Sequence, residues 1–278
     1  VTGIGDMLAF DFMQRALAAG LLVSVLCSVV SLFVLLKRMA FAGIGIGHAA
    51  LGGVSLGLFT GMSPLLSALG VCVAAALGIG AITRHGRMGE DAAIGILTTT
   101  LMALGVVLVG LAGTYQGELF SYLFGNILAV SPAQLVALGL VAVLVLGFFG
   151  FFFKELLFVA FDEEVAQVTG IPARVLYYGL LVAIAFTVVA AIQVVGVILA
   201  SALLVIPAAV GQQLAGNWRG ILLISLGTGV LAVVLGLLLS TVWDLASGGT
   251  IVLVLGAFFF AAFVLSPHRR PSPPRTNP

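Results

Sequence analysis

Charged residues are so widely spaced along this chain that its 278 residues fall into apolar runs of membrane-crossing length. A bilayer core about 30 Å thick is crossed by roughly 20 apolar residues in helix. Such runs lie at 16–36, 92–113, 221–242 and 251–265, and the longer intervals 39–83 and 175–218 each hold two crossings. The first of these long intervals divides at the turn formers between Thr60 and Pro64. The stretch 119–153 opens with the aromatic sequence LFSYLF, breaks near Ser131 and Pro132, and continues as one helix of Leu, Val and Phe. With 8% of residues charged and 62% hydrophobic, an ordinary soluble domain is excluded. The runs are continuous instead of alternating, so a β-barrel is excluded as well. The expected fold is all-α: a polytopic transmembrane bundle of about eight or nine spanning helices, with residues 1–267 forming the membrane domain and 268–278 a disordered cytoplasmic tail rich in Pro.

Lys37 and Arg38, Arg84 and Arg87, Lys154, Arg174, Arg219, and Arg269, Arg270 and Arg275 all lie beside run ends, which marks those ends as cytoplasmic. The segments 60–63, 114–118 and 244–249 then lie outside, together with the N-terminus. Residues 1–11 lack the basic start of a secretory signal, so the first run is expected to stay in the protein. A net charge of +1 offers nothing to nucleic acid. Cys27 and Cys72 sit in apolar runs without disulfide or CxxC spacing.

Three polar features interrupt the apolar background. Between Lys154 and Arg174, Asp162, Glu163 and Glu164 precede a short amphipathic run that stops at Gly170, which predicts a small surface helix. It is either a solvated connector or a rigid docking element. In 39–58, the pairs Gly43 with Gly47 and Gly53 with Gly57 present bare faces to neighbouring helices, and His48 sits among them. An imidazole inside a span is a candidate ligand for a divalent cation, or a packing residue that bonds across an interface. Gln193 in its apolar run must line a pathway or bridge helices. Thr98 to Thr100 are expected to bond back to their own helix, Glu118 to be a solvated loop acid, and Asp244 to be a loop acid that can cap the last helix. The chain holds two lysines, Lys37 and Lys154, neither in a phosphate-binding loop, so any ATP dependence belongs to another polypeptide. Hydrolase motifs of the HExxH and GxSxG kinds are absent as well.

Four stretches in order carry a resemblance: LKRMAF at 36–41 with the glycine and His48 segment after it, LFSYLFGNILAVS at 119–131, DEEVAQVTGIP at 162–172, and VGVILASALLVIPAA at 195–209. The run ASGGTIVL at 246–253 adds to them. Together they resemble the permease subunit of the manganese, zinc and iron subfamily of ATP-binding-cassette importers, over about residues 12–265. The resemblance implies a multi-pass protein of the prokaryotic plasma (inner) membrane that works as a homodimer with a second permease copy. It implies cytoplasmic ATPase subunits and an extracytoplasmic metal-binding protein as partners, no cofactor bound by this chain, and Mn, Zn or Fe passing transiently. It makes His48 the metal-pathway residue, with Ile44, Gly47 and Gln193 along the pathway. Glu163, Glu164, Ala166 and Gly170 become the coupling positions toward the ATPase. In the family an aspartate stands four residues before the histidine, and here that place holds Ile44. An importer of a metal chelate or small organic cofactor is the alternative. A carrier driven by an ion gradient is disfavoured, because 39–83 and 175–218 contain no buried acid, and a scaffold is disfavoured by the glycine-broken His48 segment.

Overall fold

The structure is a computed structural model that describes residues 10–85, 88–112, 125 and 127–266. The expected outer loop at 114–118, the aromatic stretch at 119–124 and the tail at 268–278 lie outside the described residues. Ten α-helices are described: α1 (Asp11–Leu36), α2 (Ala40–Thr60), α3 (Pro64–His85), α4 (Glu90–Ala112), α5 (Pro132–Phe151), α6 (Phe153–Phe161), α7 (Glu163–Val168), α8 (Ala173–Leu214), α9 (Trp218–Trp243) and α10 (Ser247–Leu265). A single 3-10 turn at Ile127–Ala129 precedes α5, and no strand occurs among the described residues. Eight of these helices are long and apolar enough to cross a membrane.

Helix boundaries follow local chemistry. Ser131 starts α5 with a reciprocal cap, its hydroxyl accepting from the Gln134 N–H at 3.2 Å while the Gln134 side chain accepts from the Ser131 N–H at 2.9 Å, and Pro132 follows at the first helical position. Asn217 caps α9 by accepting from the Gly220 N–H at 2.6 Å. Asp244 is exposed in the connection between α9 and α10, as expected of a loop acid, but it does not cap the last helix. It closes α9 in a left-handed conformation, φ 52°, and the N-cap of α10 is Ala246, which makes no side-chain cap bond. Thr99 donates back to the Gly95 carbonyl at 2.8 Å, as expected of a hydroxyl inside a span.

α8 is one 42-residue element that reverses direction within itself. A straight helix of that length would reach about 63 Å, twice the apolar thickness available. The break is Gly196, at φ 79° and ψ 169°, a conformation open essentially to glycine alone. Val188 and Val197 would stand about 13 Å apart along a straight helix. Yet a methyl built on Gly47 would touch both, at 3.7 and 3.6 Å, so the two halves fold back on each other. Both ends of α8 accordingly lie at one end of the bundle: the Phe153 ring lies tilted against Trp218 with centroids 5.2 Å apart, and Ser266 donates to the Gln213 carbonyl at 2.9 Å. The interval 175–218 thus holds the two expected passes, and nine membrane-crossing segments put residues 11 and 266 at opposite ends. All the described basic residues except Arg15 gather at one end, with Lys37, Arg84, Lys154, Arg174 and Arg219.

α1, α2 and α8 form the interior, and the other helices surround them. The apex of α8 is covered by the segment before α5, where Gly125, at φ 63°, rests directly on backbone: a Cβ there would overlap the Gly196 nitrogen and the Val195 carbonyl. Gly125→Ala is therefore expected to lower the stability of the detergent-purified protein by about 2 kcal/mol or more. Gly70→Ala, where an added methyl meets open space, is expected to be close to neutral, and thermal melting followed by tryptophan fluorescence compares the two.

Candidate functional site

α2 carries His48, and three neighbours occupy three of its faces. Toward α4, methyls on Gly45 and Gly52 would strike the Ile94 side chain at 2.6 Å and the Leu101 carbonyl at 2.5 Å, so at Gly52 backbone meets backbone with no side chain between. Toward α3, Gly53 and Gly57 do the same against Ala68 and Pro64, at 2.5 and 2.9 Å. Toward α8, Gly43 and Gly47 meet Leu204, Val188, Val197 and Ser201 at ordinary contact distances of 3.6–3.7 Å. The fourth face is left open by the described residues. It carries Phe41, 60% exposed, with Ile44 and His48 partly exposed on the following turns, at the three-to-four spacing that shares a helix face.

His48 Nδ1 lies 2.8 Å from the Ile44 carbonyl oxygen. A carbonyl only accepts, so Nδ1 carries the proton, and in the neutral ring Nε2 keeps its lone pair free for a ligand. The Ile44 backbone thus orients the imidazole while its side chain adds no charge. No group of three or more His, Cys, Asp or Glu side chains that could hold a metal ion occurs among the described residues.

The other expected pathway residues do not join this face. Gln193 lines a small void with Ala50, Val54, Leu65 and Ala68, on the side of α2 that faces α3 and α8. Gly47 is buried against α8. A larger cavity of about 500 Å³ opens above the α8 apex, lined by Gly125, Leu128, Ile198, Leu199 and residues 245–249.

At the basic end, the small helix expected after Asp162 is α7, and a further helix not expected from the sequence, α6, precedes it. Asp162 caps α7 by accepting from the Val165 N–H at 3.0 Å, and Gly170, at φ 85°, ends the turn after it. Of the four expected coupling positions, two point inward. Ala166 is fully buried, and Glu163 reaches back into the bundle, accepting from Lys37 Nζ at 2.9 Å and from the Arg84 guanidinium. These side chains anchor the helix. The surface it presents outward consists of Glu164, Val165, Gln167, Val168 and Gly170, with Val168 89% exposed and Phe161 beside it.

The sequence did not single out the groups that receive Glu163. Arg84 lies 4.4 Å over the Tyr177 ring, and its Nε is buried without an acceptor among the described residues. Tyr177 donates to Glu90 at 2.5 Å. From the sequence, Lys37 and Arg84 mark only the sidedness of the bundle. The available signal was that Glu163 and both cations belong to the same end of the bundle.

The comparisons with known proteins agree with this architecture. A family model described as "ABC 3 transport family" matches residues 9–266. The manganese transport system membrane protein MntC of Halalkalibacterium halodurans is 39% identical over 264 residues, covering 94% of this chain and 90% of that protein. The chelated iron transport system membrane protein YfeD of Yersinia pestis is 33% identical over 268 residues, covering 96% and 90%. Among solved structures, PsaBC from Streptococcus pneumoniae in complex with Fab superposes with a TM-score of 0.85 at 34% identity, covering 96% of each chain.

Burial works to raise the Glu163 pKa, but the hydrogen bonds and charges of Lys37 and Arg84 outweigh it and hold the carboxyl below its ordinary range. A depressed carboxylate stabilises the fold above its unfolded value, about 4.3, and that contribution is lost as pH falls through the folded value. Glu163→Gln should therefore melt lower than the parent by a constant margin from neutral pH down to about 5, and the margin should close below about 4. A margin that widens toward acid would contradict the assignment.

Proposed function

The chain belongs to the ABC 3 transport family, and from that premise we propose that it moves divalent transition metal ions, Mn, Zn or Fe, inward through a pathway flanked by the His48 face of α2. It is the multi-pass membrane permease of a bacterial ATP-binding-cassette importer. Subunits of this kind do not hydrolyse ATP; ATPase subunits and a binding protein complete the assembly. Family membership sets aside the carrier driven by an ion gradient and the scaffold.

The observation that carries the metal reading is the oriented imidazole. His48 is held with Nε2 free, on the one face of α2 that no helix among the described residues fills. The half of α8 after Gly196 continues that open face with Ile198, Ser201, Val205, Ala209 and Gln212, all at least partly exposed. Such a stripe suits a second copy of the permease. Two copies facing across it bring two imidazoles to one pathway, a weak site from which a passing cation can leave. The basic end is cytoplasmic in this reading, and α7 docks into the ATPase through Val165, Val168 and Glu164. Opening and closing of the two ends around His48 gives alternating access.

A second reading keeps the machinery and changes the cargo. None of the ten acidic residues falls in the interior of an apolar run, and Ile44 stands where a carboxylate would add charge. A cation that enters with anionic ligands of its own would need no such charge, and one relative is described as a chelated iron system. Uptake of free Mn(II) and of iron citrate by cells expressing the transporter separates the two readings.

His48→Ala is expected to reduce metal uptake by about tenfold or more while leaving ATPase subunits bound. Unchanged uptake would remove His48 from the pathway. Val168→Glu is expected to strip the ATPase subunits during purification, and full retention would show that α7 is not the docking surface.

A further inference from the structure

We propose that Glu163 is the positioning residue that passes displacement of the docking helix to α2, the helix that carries His48. The proposal rests on the reading of α7 as the surface that the ATPase grips. α7 is joined through the chain to α6 and α8, and its packing is against those same two helices. Neither of them carries His48. Both ion pairs found among the described residues end on Glu163 and lead elsewhere: one to Lys37 and one to Arg84.

Lys37 lies in the two-helix corner where α1 passes into α2. It caps α1, Arg38 follows in the left-handed region at φ 60°, and the Met39 N–H bonds back to the Val34 carbonyl at 2.8 Å. A corner closed this tightly moves with the root of the helix it starts, and His48 is about 12 Å further up α2. Arg84 ends α3, which packs on α2 at Gly53 and Gly57. The same guanidinium covers the Tyr177 ring on α8, and Tyr177 holds Glu90, the first residue of α4. Every helix packed around His48 is therefore fastened at its basic end to one polar cluster, and Glu163 is the member that α7 contributes.

The cluster is built to transmit. Lys37 and Glu163 are mostly shielded, with side-chain exposures of 14% and 29%, and Arg84 is at 19%. Solvent screening that makes exposed pairs soft is reduced here. Arg84 Nε, buried without an acceptor among the described residues, leaves the guanidinium held mainly by Glu163 and the Tyr177 ring. Removing the Glu163 charge leaves two partly buried cations facing each other, so α2 and α3 lose their tie to α7 together.

The test reads α2 directly and needs no cargo. A cysteine placed at Phe41, on the exposed stripe below His48, is labelled with a water-soluble maleimide in the full transporter, nucleotide-free and after trapping with ATP and vanadate. Cys27 and Cys72 are buried and stay silent. With Glu163 intact, trapping should change the labelling rate by about tenfold, the size of an ordinary coupling free energy. In Glu163→Gln, and independently in Lys37→Gln, the ATPase subunits should remain bound and still trap nucleotide, while the change in labelling disappears. A change that survives in either variant overturns the proposal, as does its absence in the parent. Loss of the ATPase subunits from Glu163→Gln also overturns it, by reducing Glu163 to a structural support of the docking surface. Failure of the docking reading itself is seen separately, as retention of the ATPase by Val168→Glu.

Discussion

Helices in a bilayer gain little from turning apolar side chains toward each other, because lipid tails are equally apolar, so contact between them has to come from close fit. The structure meets that condition at α2. Four of its glycines bring its backbone against α3 and α4 at distances that a single methyl group would violate, and two more let α8 pack at ordinary contact. A helix enclosed in this way cannot tilt alone. Motion of α2 takes α3 and α4 with it, and the three behave as one body built around a glycine seam. The open face with Phe41, Ile44 and His48, together with the looser contact of α2 on α8, is then where that body can change its surroundings without breaking its own packing.

The second body gathers α1, α5, α9 and α10 around α8, and its constraint is the backbone. Where α8 reverses at Gly196, the helical hydrogen-bond ladder is interrupted at membrane depth, which is tolerated only where protein or a cavity covers the break. Both occur here. Gly125 lies against the apex, and the 500 Å³ cavity opens beside it. The reversal also shortens the reach of α8: its apex stands level with the middle and outer part of α2, where Gln193 meets Ala50 and Val54. A small void lies between the two bodies at that level.

Much of this was legible in spacing alone. Apolar runs and turn formers located every long helix, and the capping signals at Ser131, Asp162 and Gly170 placed the breaks. Gly43 with Gly47 and Gly53 with Gly57 announced close neighbours, though only the second pair proved to be a site of backbone contact. The residues that pair across the sequence were not legible. Glu163 meets Lys37 and Arg84 at separations of 126 and 79 residues, and no local period records such a meeting. Gln193 and His48 look equivalent as polar residues in apolar runs, but helix phase sends them to different sides of α2. Asp244 could be placed at a helix end from composition, yet which helix it served depended on a left-handed φ that only the chain path reveals.

The two bodies meet along α8 and at the polar cluster of the basic end, and the chemistry of the two contacts differs. Where α2 meets α8 the contact is methyl against glycine at ordinary distance, which resists compression but hardly resists sliding, whereas nearer the base α3 locks onto α8, a methyl on Gly80 striking Tyr178 and Leu181 at 2.6 and 2.9 Å. At the cluster it is a carboxylate between two cations, which resists separation in a partly desolvated setting. A force applied at α7 therefore finds a tether at the base and a slip plane above it. His48 lies about two turns up from the tether, on the open face of α2 and not on the face that slides against α8, and its imidazole can take a cation and give it up. A bundle with charged ligands deep in its spans would tie the bodies together at that level through any bound ion. With the interior of its apolar runs uncharged and both ion pairs among the described residues at the base, the chain would, in the proposed coupling, hold firmly where the ATPase pulls and loosely where the cargo passes.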